Sequence, residues 1–310
     1  MDKTSYILKR LLLMVPTLLG ILFISFLLMK SIPGDPVYSL VGERADQATI
    51  EQYRSKMGLN KPFLFQFMHY FSLVLKGDLG VSYYTHQPVG KMLLEKFPNT
   101  LKLATFAMLL ASLIGILTGI VAAFFQNTFL DRVIVVGSIC TVSTPVFWFG
   151  LMLIIIFANG LGWFPPAGMG SGISIYIVLP AVTLGIRSAA YITRITRTNM
   201  IETSRNNYIT TAKAKGLSQA SITFKHTLKN AIIPIITLIG IDFGSYLNGS
   251  VLTETIFGWD GLGRYAMNGI FKRDYPVILG TVLFGAFVFV LINLIIDISY
   301  RLFNPQIGYK

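Results

Sequence analysis

The chain has 310 residues, 53% of them hydrophobic and 13% charged, with a formal net charge of +12. A soluble domain carries about twice that charged fraction, and the deficit here lies in long apolar runs, so the composition indicates a polytopic membrane protein rather than a soluble one. The basic excess follows from such a topology, because cytoplasmic loops collect Lys and Arg; a nucleic-acid partner is excluded by the absence of a basic-plus-aromatic groove pattern.

Taken in chain order, the apolar runs predict an all-α fold with six transmembrane helices. Span one is Leu11–Met29, preceded by Lys3, Lys9 and Arg10. It is long for a signal-peptide core and is followed by Ser31-Ile32-Pro33-Gly34-Asp35-Pro36 rather than a small-residue cleavage site, so it reads as an uncleaved anchor. Residues 31–98 are polar enough to be soluble, with Ile50, Tyr53 and Met57 on one helical face and Phe63, Phe67, Tyr70 and Val74 on another. Spans two to six follow at Leu101–Phe125, Val133–Ala158, Ile175–Thr196, Ala231–Thr253 and Pro276–Tyr300.

Orientation follows from the short loops. Residues 159–174 contain no Lys or Arg, whereas 194–230 contain Arg194, Arg197, Arg205, Lys213, Lys215, Lys225 and Lys229. That predicts a cytoplasmic loop at 197–230 and cytoplasmic termini. The organisation expected is a tail and first span at 1–30, an extracytoplasmic region at 31–98, spans two to six at 99–300, and a cytoplasmic tail at 301–310.

Chemistry-bearing motifs are few. The single cysteine, Cys140, forms no internal disulfide, and His69, His86 and His226 are too scattered for a metal cluster. No GxxxxGK[ST] loop is present, since Val89-Gly90-Lys91-Met92 lacks the upstream Gly and the hydroxyl residue. The chain is therefore not its own ATPase and carries no cofactor. In the basic loop, Tyr208-Ile-Thr-Thr-Ala-Lys-Ala-Lys-Gly216 predicts a short helix ending at a left-handed glycine, and Leu217-Ser218 opens a second helix with Ser218 as N-cap. Two helices meeting at such a corner form a shape that inserts into a partner's cleft.

That loop, with Lys225-His226-Thr-Leu-Lys-Asn-Ala231-Ile-Ile-Pro234 after it, resembles the coupling loop of the dipeptide and oligopeptide ABC transporter permeases. Thr210, Thr211 and Ala212 stand where importer permeases usually have Glu-Ala-Ala, with the glycine kept at Gly216. Further matches are Ile32-Pro33-Gly34-Asp35-Pro36, Gly77-Asp78-Leu79-Gly80, Pro98-Asn99-Thr100, Leu161-Gly162-Trp163-Phe164-Pro165, Glu254-Thr255-Ile256-Phe257 with Gly261-Leu262-Gly263, and Arg273-Asp274-Tyr275-Pro276. The tail departs, with Asn304-Pro305-Gln306 in place of the common Asp-Pro-Arg. The resemblance implies a type I importer permease fold in a bacterial inner membrane. It also implies three kinds of partner besides lipid: a second homologous permease, two ATP-binding-cassette ATPase subunits that bind ATP and Mg, and an extracytoplasmic substrate-binding protein. The ATPase contact would fall on Tyr208, Thr211, Ala212, Lys213, Ala214, Lys215, Gly216, Leu217 and Ser218.

Two charges lie inside spans. Arg187 in span four is roughly 18 Å from its outer end and Asp242 in span five roughly 17 Å from its inner end, at about 1.5 Å per residue. Both are near mid-bilayer. Either they form a buried ion pair, or they line the pathway and meet the two ends of a zwitterionic peptide, or Arg187 faces water or the partner permease. The cargo expected is short peptides, with nickel, metallophores or glutathione as alternatives within the same branch. A proton-coupled secondary transporter built on Arg187 and Asp242 is the competing class.

Overall fold

The computed structural model describes residues 3–31, 36–42, 45–170 and 174–303. Ile32–Asp35 and the Asn304-Pro305-Gln306 tail lie outside the described residues. Helices make up the fold: α1 (Lys3–Ser31), α2 (Pro36–Val41), α3 (Gln47–Lys56), α4 (Phe63–Leu75), α5 (Val89–Phe124), α6 (Phe129–Ser143), α7 (Val146–Leu153), α8 (Val178–Ser204), α9 (Asn207–Ala214), α10 (Lys229–Leu247), α11 (Val251–Ile256), α12 (Leu262–Lys272) and α13 (Tyr275–Phe303). Among the described residues the sole β pairing is an isolated bridge between Val81 and Pro88.

Among the described residues five helices are long and apolar enough to cross a membrane, and the count is six if one sharply bent pair is a single span. The third predicted span is corrected here. It is not one rod over Val133–Ala158 but two helices, α6 and α7, bent by 102°. The break falls at Thr144-Pro145, where Pro145 has no N–H to donate and forces the preceding Thr144 into an extended conformation. Beyond α7 the segment Ile154–Gly160 continues as a π-helix. The fifth span also ends earlier than predicted, at Leu247, because Gly249 turns the chain at φ +93° and α11 starts a separate helix. The second starts earlier, at Val89, and passes through Pro98.

Two parallel helices, α5 and α8, form the spine, and glycines set their separation. A Cβ on Gly185 would lie 2.5 Å from the Ala107 carbonyl oxygen, and one on Gly115 or Gly119 would strike Ile192 or Thr196. Small residues let backbones approach where lipid supplies no hydrophobic drive. The Thr118 and Thr193 hydroxyls bond across the same seam at 2.7 Å. Gly240 and Gly244 do the same between α10 and α13, packed against Ile296, Ile292 and Phe289.

Among the described residues, the segment between α1 and α5 has no buried cluster of its own. Tyr70 of α4 is buried in one cluster with Leu22, Phe26 and Met29 of α1 and Tyr275, Leu279 and Leu283 of α13. The loop before α5 is tied down separately: the Ser82 hydroxyl donates to Asp274 Oδ2 at 2.5 Å and the Tyr83 N–H to Oδ1 at 3.2 Å.

Candidate coupling loop and interior charges

The loop predicted at 197–230 is shorter than expected at its start, because α8 continues to Ser204. After a turn at Arg205-Asn206, α9 carries Tyr208, Thr211, Ala212, Lys213 and Ala214 and ends as its sequence requires. Gly216 takes φ +75°, its N–H bonds the Lys213 carbonyl at 2.9 Å, and the Leu217 N–H bonds the Ala212 carbonyl at 3.3 Å. That is a Schellman cap, which satisfies the orphan carbonyls of the last turn. Ser218 then caps the next helix, its Oγ accepting from the Ser221 N–H at 3.3 Å. The return helix is wound as a π-helix over Ser221–Leu228 before it becomes α10.

Ile209, Ala212 and Ile222 are buried against one another and hold the two arms of this corner together. The outer surface is left free: Tyr208 and Leu217 are about two-fifths exposed, and Thr211, Lys213, Ala214, Lys215, Gly216 and Ser218 are all exposed. The corner therefore has its own small core inside and an apolar-plus-basic rim outside.

Two polar anchors unseen in the sequence fix the ends of the spine. Near the corner, Asp131 at the start of α6 is 3% exposed and receives both Nε and Nη2 of Arg197 from α8, at 2.6 and 2.7 Å. The Asn127 N–H adds a third bond at 2.9 Å. Arg197, taken from the sequence as a loop charge, is thus a helix residue in a forked ion pair. A signal did exist, since Asp131 is the only acid between Glu95 and Glu202.

At the opposite end Glu254 is fully buried and accepts from Thr100 Oγ1 at 2.9 Å and from the Arg264 N–H at 3.0 Å. Thr100 in turn accepts the Leu262 N–H, and Trp259 Nε1 donates to the Asn99 carbonyl. Gly261 is required here, because a Cβ would sit 2.5 Å from Thr100 Oγ1 and 2.6 Å from Glu254 Oε2. Burial raises the Glu254 carboxyl above the ordinary glutamate value, against the hydrogen bonds that favour its ionised form. A raised folded-state value makes the native state the better proton binder, so this group's contribution to stability is full below the ordinary value and is lost as pH rises through the raised one. We expect Glu254→Gln to flatten that part of the pH profile of thermal unfolding, measured on the purified protein in detergent.

The interior charges do not form the ion pair that the sequence allowed. Asp242 instead accepts a short hydrogen bond from the Ser188 hydroxyl, which also contacts the Tyr246 hydroxyl at 2.5 Å, and Tyr246 donates to the Leu184 carbonyl at 2.8 Å. These bonds stitch α10 to α8. Arg187 is exposed and makes no contact with Asp242 close enough for an ion pair; its guanidinium lies 5.9 Å from the Tyr191 ring. It lines a cavity of about 260 Å³ with Cys140, Thr141, Thr144, Trp148 and Phe149, at the break between α6 and α7.

Comparison with known proteins fits this arrangement. Residues 115–309 match the family described as the binding-protein-dependent transport system inner membrane component, and residues 3–104 match the N-terminal domain of the same kind of component. The chain belongs to this family. The permease is 39% identical to the glutathione transport system permease protein GsiC of Escherichia coli strain K12 over 306 residues, 99% of each chain. It is 40% identical to the protein of that name in Salmonella typhi, with the same coverage. Among solved structures, the MetNI methionine ABC transporter in an inward-facing conformation matches with TM-score 0.59 at 19% identity, over 69% of the permease and 96% of that chain. The permease thus has the type I importer fold and is a subunit of an ABC importer in a bacterial inner membrane.

Proposed function

We propose that this permease forms half of the pathway by which short peptides enter the cell, with the work done by separate ATPase subunits that dock on the Gly216 corner. The observation that carries the reading is the corner itself: a capped, internally packed hairpin with an exposed apolar and basic rim, on a chain that has no phosphate-binding loop. The complex consists of this chain, a second homologous permease, two ATPase subunits that bind ATP and Mg, and an extracytoplasmic binding protein. The termini and the Gly216 corner face the cytoplasm, where the Lys and Arg bias puts them. The Glu254 end then faces the binding protein.

Short peptides as cargo are supported by the relatives at 39–40% identity, whose name specifies glutathione, itself a tripeptide. In this reading Arg187 meets a peptide carboxylate, which is supported by its lining the cavity at the helix break, while Asp242, engaged with Ser188, holds α10 to α8. We expect Arg187→Ala to lower uptake of a carboxylate-bearing substrate about tenfold, a loss of ~1.4 kcal/mol, while leaving assembly intact; uptake into proteoliposomes reads this. The decisive test of the function is ATP hydrolysis by the co-purified complex with its binding protein, measured against di-, tri- and longer peptides, glutathione and nickel chelates. Stimulation by peptides supports the reading. Stimulation by nickel chelates alone overturns the cargo, and peptide uptake without the ATPases, driven by a pH gradient, overturns the mechanism.

A further inference from the structure

We infer that α4, in the segment read from sequence as soluble, lies in the membrane as an interfacial anchor, with its outer face in contact with lipid acyl chains. Three faces of α4 carry three chemistries. The first, with Phe63, Phe67 and Tyr70, packs on α1, where Phe67 sits 5.3 Å from Phe23 and 5.6 Å from Phe26. A second face, with Gln66 and His69, lines a cavity of about 730 Å³. The third holds Leu64, Met68 and Leu75 at helical spacing, and no described residue covers it: they are 63%, 56% and 72% exposed.

Depth decides what meets that third face. Phe23 lies six residues before Met29, the last residue of the apolar window of α1, or roughly 9 Å below it at 1.5 Å per residue. The α4 rings that touch Phe23 are at that depth. The second crossing helix agrees, since the shared cluster includes Leu279 and Leu283, about 6 and 12 Å past Tyr275 by the same rise. A helix at this level has hydrocarbon, not water, beside its free face. The apolar stripe is also continuous with the exposed flank of α1 at Leu19, Phe23 and Leu27. Lys61 and Lys76, both exposed, bracket α4 at its two ends, where their ammonium groups reach phosphate headgroups while their stems stay in the apolar zone.

The test uses the co-purified complex in phospholipid nanodiscs, with Cys140→Ser removing the native thiol. Single nitroxide labels go on Leu64→Cys, Met68→Cys and Leu75→Cys, with Lys76→Cys as the headgroup reference; elution of the intact complex in size-exclusion chromatography confirms that each variant is folded. The expected result is that collisions with molecular oxygen exceed those with a water-soluble nickel chelate several-fold at 64, 68 and 75, and that the order reverses at 76. Chelate collisions dominating at the three stripe positions would overturn the inference in favour of a solvated helix. Low collision rates with both reagents would overturn it in favour of cover by a partner protein.

Discussion

Gly216→Val is expected to cut ATP-driven uptake by about tenfold or more while the permease stays in the membrane. A Cβ at this position meets nothing within 4 Å, so the substitution causes no clash. Its effect is conformational. Gly216 sits at φ +75°, where a side-chain-bearing residue costs about 1–2 kcal/mol and a β-branched one more. The cap then opens, and Leu217 and the lysines of α9 lose their fixed places on the rim. About 1.4 kcal/mol against the docking-competent corner already gives the tenfold change. Asn tolerates the left-handed region, so uptake should fall in the order Gly, Asn, Ala, Val. Proteoliposome uptake normalised to purified complex measures it. A Val variant that transports normally would show that this corner is not where force enters.

Arg197→Ala should be the most destabilising single change in the spine. It leaves the Asp131 carboxylate, with its side chain 4% exposed, without the guanidinium that holds both oxygens. The pair is not sealed, since the Arg197 side chain is 24% exposed and the Asn127 N–H still bonds the remaining carboxylate, so losing the guanidinium costs about 1.5–3 kcal/mol. Arg197→Lys should recover part of that, since an ammonium makes one contact where the guanidinium fork makes two. Asp131→Asn combined with Arg197→Gln should be milder than Arg197→Ala alone, because no bare charge is left. Thermal unfolding of the solubilised permease ranks these variants; a single mutant no worse than the double would mean that the pair carries little.

Local signals were legible in the sequence and long-range ones were not. The apolar runs announced the spans, the Ala-Lys-Gly-Leu-Ser string announced the cap at Gly216 and the start at Ser218, and both arose from contacts within a few residues. The polar anchors join residues 66 and 154 positions apart, so no window contains both partners. For a related reason the sequence leaves open whether Arg187 and Asp242 pair: depth along two helices says how far in each charge lies, but not which way round the helix it points. Arg187 and Ser188 are neighbours in sequence, and it was Ser188 that faced α10. The bend in the third span escapes hydropathy because that average passes the two helices together and is blind to the geometry at Pro145.

The glycine seam between α5 and α8 has a mechanical consequence. Two helices in backbone contact at Gly115, Gly119 and Gly185 have no room to slide or shear, since packed interiors are stiff on this length scale. They move as one blade. That blade is pinned at one end through Arg197 to Asp131 and at the other through Thr100 to Glu254, and the Gly216 corner extends from the tip of α8. A push on the corner therefore arrives at the far end as rotation of a rigid body, not as a bend that fades along a helix. The compliance needed to open a path is left to the segment beside the blade, α6 and α7, where the chain has already given up its continuous hydrogen-bond ladder.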